Sequence, residues 1–193
     1  MNSNYKHITN FIKPKTIVAV IDLPTVTEVL STIELLLQKN INVIELTLRQ
    51  REVVIKVSKE LQKNNFSSVT WGIGTIKNIA DFNLAVDLGA QYLVSPGVNR
   101  DLLSHWHNYY KYTVAYLPGA VTASEIMLAL NYDLNYLKFF PASNGIDTIK
   151  LLEGPFKEVK FCATGGINVT NKDLFLNLNN IFAIGISKSF DKL

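Results

Sequence analysis

The sequence predicts an α/β fold, a small (β/α)8 barrel of the TIM type with its eighth helix truncated. Three observations carry this. Eight apolar, strand-like runs alternate with segments of helical period. Residues able to carry chemistry or a tight turn gather just after those runs. One lysine and one glutamate interrupt two strands that are otherwise apolar or weakly polar.

The strand candidates are residues 16–21, 43–48, 68–72, 92–95, 113–117, 136–139, 159–162 and 181–184. Between them, residues 27–39, 51–62, 78–88, 100–107, 124–131, 147–152 and 172–178 read as helices. In the first helix Val29, Leu30, Ile33, Leu36 and Leu37 recur at helical spacing and form one apolar stripe. Strand–helix alternation implies right-handed βαβ units and a parallel sheet. Eight such units read as a barrel; a doubly wound open sheet is the main alternative. Nothing divides the chain, so residues 1–193 are expected to form one domain, with 1–14 as an N-terminal helical segment. After the eighth strand only nine residues follow, too few for a full helix. The apolar flank beside strands eight and one then needs cover from the N-terminal segment, about residues 5–12, or from another subunit.

Loop order supports the barrel. Thr47-Leu48-Arg49, Gly72-Ile73-Gly74-Thr75, Ser95-Pro96-Gly97, Leu117-Pro118-Gly119, Phe140-Pro141, Thr164-Gly165-Gly166 and Gly185-Ile186-Ser187 all follow strands. A barrel brings such loops to one end, the catalytic face.

Lys138 lies in Tyr136-Leu137-Lys138-Phe139-Phe140-Pro141, and Glu45 in Val43-Ile44-Glu45-Leu46-Thr47-Leu48-Arg49. Strand alternation puts Val43, Glu45 and Thr47 on one face, and Tyr136 with Lys138 on one face. Lysine is rarely buried without a partner or a task. Desolvation favours the neutral amine, the form that attacks a carbonyl to give a Schiff base. An acid and an amine in one cavity would form an acid/base and nucleophile pair. The bland alternatives are a lysine that snorkels from a strand edge and a structural ion pair.

Bulk properties narrow the partners. The chain is 48% hydrophobic and 18% charged, with net charge +3, which suits a domain with a substantial core. Its lysines form no long basic run, so no nucleic-acid surface is marked. No run reaches the length of a membrane span, and the N-terminus lacks a signal-peptide stretch. The single cysteine, Cys162, excludes an intrachain disulfide framework, fits a reducing compartment and reads as a small core residue. A cytoplasmic protein is expected. His105-Trp106-His107 does not read as a metal site, since helical residues two apart do not face together. Trp71 reads as a packing residue.

Gly165-Gly166 and Gly185-Ile186-Ser187 follow the last two strands. Barrels often bind phosphate there, because glycine lets backbone N–H groups approach the oxygens and a serine hydroxyl adds a donor.

Together these motifs resemble the 2-keto-3-deoxy-6-phosphogluconate (KDPG) aldolases, including bifunctional members that cleave 4-hydroxy-2-oxoglutarate (KHG). The resemblance rests on Glu45-Leu46-Thr47-Leu48-Arg49, Gly72-Ile73-Gly74-Thr75, Gly89-Ala90-Gln91-Tyr92-Leu93-Val94-Ser95-Pro96-Gly97, Lys138-Phe139-Phe140-Pro141-Ala142 and Thr164-Gly165-Gly166-Ile167. It spans roughly residues 15–187. It implies a class I lyase of carbohydrate (Entner–Doudoroff) metabolism, with no metal and no cofactor beyond the covalent imine. By that resemblance Lys138 forms the imine and Glu45 is the general acid/base. Arg49 and Thr75 hold the pyruvate carboxylate and neighbouring oxygens, and Pro96 and Phe140 shape the pocket. Gly165, Gly166 and Ser187 hold the distal phosphate, with Thr164 and Gly185 counted in the substrate site. The implied partner is a phosphorylated keto acid, and the implied assembly a homotrimer. A 6-phosphogalactonate aldolase and a non-catalytic phosphate-binding barrel are the alternatives.

The sequence departs from the family pattern at several points. Ile186 replaces a common glycine in the strand-eight loop, with Lys188 two residues on as a compensating charge. Asp22 ends strand one where a different, often basic, residue is usual. Ala163 stands where proline often precedes Thr164-Gly165-Gly166.

Overall fold

A computed structural model describes residues 7–63 and 66–193. Eight strands alternate with helices: β1 (Thr16–Ile21), α1 (Val26–Gln38), β2 (Val43–Thr47), α2 (Arg51–Leu61), β3 (Thr70–Gly74), α3 (Ile79–Asp87), β4 (Tyr92–Val94), α4 (Arg100–His105), β5 (Ala115–Leu117), α5 (Ala123–Leu130), β6 (Tyr136–Phe139), α6 (Ile146–Leu152), β7 (Lys160–Thr164), α7 (Lys172–Leu176) and β8 (Ile181–Ile186). Every pairing is parallel, in the order β5-β4-β3-β2-β1-β8-β7-β6. An isolated bridge between Gly119 and Lys138 joins the two ends. There the Lys138 N–H donates to the Pro118 carbonyl (2.8 Å) and the Ala120 N–H to the Lys138 carbonyl (2.9 Å). The sheet is thus a (β/α)8 barrel, and the open-sheet alternative falls.

Two cores follow from strand alternation. Outward residues such as Ile21, Ile44, Leu46, Ile73 and Ile184 pack under the helices. α1 buries Val29, Ile33 and Leu36 against them, with Leu30 and Leu37 partly buried beside the stripe. Trp71 belongs to this outer core. Inward residues Val18, Val43, Tyr92, Ala115, Leu117, Cys162 and Phe182 fill the lower barrel. Side-chain caps fix several helix starts: Thr25 accepts from the Glu28 N–H, and Thr122 with Glu125 forms a capping box.

Some boundaries differ from expectation, for physical reasons. Strand three runs two residues later than 68–72, because residues just before it turn back, with the Val69 N–H donating to the Phe66 carbonyl (2.9 Å). Gly72 and Gly74 therefore sit in a strand rather than in a loop. Likewise Thr164 ends β7, and Gly185 and Ile186 belong to β8. α4 stops at His105 and passes into a wider π-type turn, Trp106–Tyr110. That turn seats the Trp106 ring in the outer core, where its indole N–H donates to the Val114 carbonyl (2.8 Å).

The N-terminal segment corrects another expectation. Residues 5 and 6 lie outside the described residues, and the chain just beyond them forms a single 3-10 turn, Ile8–Asn10. It does not cover the flank of strands eight and one. Ile8 and Ile12 instead enter the inner core and close the barrel floor. At the other terminus the 3-10 turn Phe190–Lys192 lies against α1, with Phe190 and Leu193 on the outer core. Lys39 ties it there by donating to the Asp191 and Leu193 carbonyls (both 2.9 Å). No helix among the described residues is long and apolar enough to cross a membrane.

Candidate active site

Above the apolar floor the barrel interior turns polar. On β2, Glu45 follows the inward Val43 by two residues, and on β6 Lys138 follows Tyr136 by two. The strands face each other across the barrel. Lys138 Nζ lies 3.2 Å from Glu45 Oε1 and 3.4 Å from Oε2. Both side chains are nearly fully enclosed, at 8% and 5% exposure. The Phe140 ring lies 5.4 Å from Nζ, within cation–π range. The snorkelling alternative for Lys138 is therefore excluded.

Neighbouring strands are cut to fit this pair. A Cβ at Gly74 would collide with the Glu45 carboxylate, so only glycine leaves the acid its place. Gly119 abuts the Pro96 backbone while bridging to Lys138, so one tight contact sets both the closing seam and the Pro96 loop. Beneath the pair, Tyr92 donates to the Ile44 carbonyl (2.6 Å), and its phenol is held far above the usual range by burial and then by the Glu45 charge. Burial pushes the Cys162 thiol up to about 12; Lys138 opposes the shift and Glu45 adds to it. It is a core residue, as the sequence suggests.

A cavity of about 230 Å³ opens over the pair, lined by Val20, Glu45, Thr47, Arg49, Thr75, Pro96, Lys138, Phe140, Thr164, Gly165 and Ser187. Nine of the eleven site residues expected from sequence thus line one cavity. Gly166 and Gly185 do not. Gly166 packs on Ser143 at φ 79°, and Gly185 lies in β8, where its missing Cβ makes room for the Thr164 side chain. Thr75 has φ 65°, an outlier for a β-branched residue, at a cost on the order of 1–3 kcal/mol. The strained turn is pinned by the Ile76 N–H, which donates to the Val94 carbonyl (3.1 Å).

Sequence reasoning gave no site role to three participants. Val20 and Thr47 line the cavity, and alternation on their strands was a usable signal for both. Asp22 pairs with Arg49 (3.1 Å) and accepts from the Thr47 hydroxyl (3.0 Å). Elsewhere, His105 bonds Asn83 (2.7 Å) and His107 packs on Tyr132. Among the described residues no group of three or more His, Cys, Asp or Glu is placed to hold a metal.

Comparison with known proteins matches residues 8–192 to the family model for KDPG and KHG aldolases. The chain belongs to the KDPG and KHG aldolase family. The KHG/KDPG aldolase of Escherichia coli K12 is 34% identical over 147 residues, 75% of this chain and 67% of that one. The 2-dehydro-3-deoxy-phosphogluconate aldolase of Zymomonas mobilis is 35% identical over 156 residues, 79% and 71% of the two chains. Among solved structures, a Legionella pneumophila KDPG aldolase with pyruvate captured as a covalent carbinolamine superimposes with TM-score 0.81 at 34% identity, covering 91% of this chain and 83% of that one. A Zymomonas mobilis KDPG aldolase solved with 3-phosphoglycerate gives 0.85 at 30% identity, covering 95% and 86%.

Membership in the KDPG and KHG aldolases gives the departures a structural reading. Ile186 points into the outer core at 1% exposure and does not fill the cavity. Ala163 is buried in the same outer core. Lys188 is exposed beside the rim residue Ser187.

Proposed function

We propose that this chain is a class I aldolase that cleaves 2-dehydro-3-deoxy-6-phosphogluconate to pyruvate and glyceraldehyde 3-phosphate. The observation that carries this reading is the enclosed Lys138–Glu45 pair at 3.2 Å, in a chain of the KDPG and KHG aldolase family. Glu45 takes a proton from the Lys138 ammonium. The freed amine attacks the C2 carbonyl; as the C–N bond forms, the C=O π pair moves to oxygen, which takes the proton the nitrogen sheds, giving a carbinolamine. Glu45 returns a proton to the departing hydroxyl, and loss of water leaves an iminium, an electron sink conjugated to C3. The carboxylate then takes the proton of the C4 hydroxyl as the C3–C4 bond breaks. Its electron pair forms the enamine, and the aldehyde leaves. Glu45 delivers that proton to C3, and hydrolysis of the imine frees pyruvate. One carboxylate thus serves release of the amine, departure of water, C–C cleavage and reprotonation of C3.

Arg49 and Thr75 take the carboxylate end in this reading, and a guanidinium fork suits a planar carboxylate. Pro96, Phe140 and Thr164 wall the reacting carbons. Gly165 and Ser187 receive the distal phosphate, and Gly166, outside the cavity, shapes the turn beside them. Cleavage of 4-hydroxy-2-oxoglutarate to pyruvate and glyoxylate uses the same pair and asks nothing of the phosphate end; the family's description names that activity too. We further read the enzyme as metal-independent, needing only the imine, and as cytoplasmic. In the homotrimer implied by family resemblance, exposed Met127, Leu151 and Leu174 are candidate contact residues.

Borohydride reduction in the presence of pyruvate, followed by peptide mass spectrometry, tests the mechanism. The expected result is one stable adduct, on Lys138. No adduct, or one on another lysine, returns the pair to a structural ion pair.

A further inference from the structure

Asp22 stands just beyond β1, outside the cavity lining, yet its carboxylate grips two residues that line it. Oδ2 pairs with Arg49 Nη2 at 3.1 Å, and Oδ1 accepts from Thr47 Oγ1 at 3.0 Å. The two contacts fix different things. Arg49 is 57% exposed, and a free arginine there would sample many rotamers. Asp22 engages it through one terminal nitrogen, and a guanidinium carries five N–H donors, so donors remain for a ligand. Thr47 has a single hydroxyl hydrogen. With that hydrogen given to Asp22, the Thr47 oxygen can only accept from a group in the cavity.

We propose that Asp22 is a positioning residue for the carboxylate end of the site. It holds Arg49 over the cavity as an oriented fork rather than a mobile charge. It also sets Thr47 as an acceptor, suited to a hydroxyl such as that of the carbinolamine and unsuited to a carboxylate. A substrate carboxylate is thereby steered to Arg49 and away from Thr47. This inference rests on the aldolase reading.

The test is the concentration dependence of pyruvate trapping on Lys138 in wild type, Asp22→Ala and Asp22→Asn. Asp22→Ala frees one rotamer-rich side chain, and the half-saturating pyruvate concentration should rise roughly tenfold. The limiting trapping rate at saturation should move less than the half-saturation, because Lys138 and Glu45 are untouched. Asparagine keeps one acceptor oxygen and turns an NH2 toward the other partner, so Asp22→Asn should give a half-saturation between those of wild type and Asp22→Ala. An unchanged or lower half-saturation in Asp22→Ala overturns the inference, the lower value marking Asp22 as a competitor of the substrate. A fall in limiting rate with unchanged half-saturation also overturns it. Failure of wild type itself to trap pyruvate overturns the aldolase reading, so the two failures are distinguishable.

Discussion

On β2 the inward positions run Val43, Glu45, Thr47; on β6 Tyr136, Lys138; on β7 Cys162, Thr164. The lower member of each series packs in an apolar core with Ile8 and Ile12, and the upper members line the cavity. One alternating pattern thus supplies a dry floor and a polar chamber two residues apart. The contrast explains how a lysine and a glutamate can stay this enclosed. Water is kept from below by the plug, and each charge is the other's partner. A buried charge without a partner would cost several kcal/mol.

If floor and chamber are separable in this way, substitutions in them should fail differently. The largest effect is expected from Glu45→Gln in the chamber. Cleavage should fall on the order of 10²–10⁴-fold, while borohydride still traps pyruvate on Lys138 at a reduced rate. Equal cleavage rates in variant and wild type would remove Glu45 from the proton transfers. Next comes Ile12→Ala in the floor. Truncating a fully buried isoleucine should cost ~2–4 kcal/mol of stability in a denaturant titration. The folded fraction should keep its kcat/KM. A loss of kcat/KM at full folding would show that the plug shapes the chamber directly. The smallest effect is expected at Cys162. A thiol pushed up to about 12 by burial holds almost no thiolate at pH 8, so alkylating reagents should label it only on unfolding. Labelling of the native protein at the rate of a free thiol would mean that solvent reaches the floor.

The regular parts of the architecture were legible because alternation and helical period are local. β1 and β6 fall at the expected residues, and Lys138 and Glu45 stood out as charges in apolar strands. What escaped was set by distant neighbours. Gly72 and Gly74 carry a turn signature, but Tyr92 and Glu45 crowd them and leave no room for a side chain, so they lie in β3. Gly185 looks like part of an anion cradle, yet Thr164 occupies the space it leaves. Asp22 could be seen as unusual in the first strand, but its partners lie 25 and 27 positions on, and only the β1–β2 pairing brings them together. The N-terminal segment is apolar at both Ile8 and Ile12, and sequence alone does not say which apolar surface it takes.

The seam at Gly119 and Lys138 carries a last consequence. Traced through the sheet, Glu45 and Lys138 are separated by β1, β8 and β7. Laid flat at ordinary strand spacing, that path is roughly 19 Å, far beyond any proton transfer. Their 3.2 Å contact exists because the ribbon is rolled, and the bridge that completes the roll is made by the backbone of the lysine itself. Neither residue is reactive equipment of its own strand. The pair is a property of the closed circumference, so that geometry assembles the reagent in the same event that completes the cylinder.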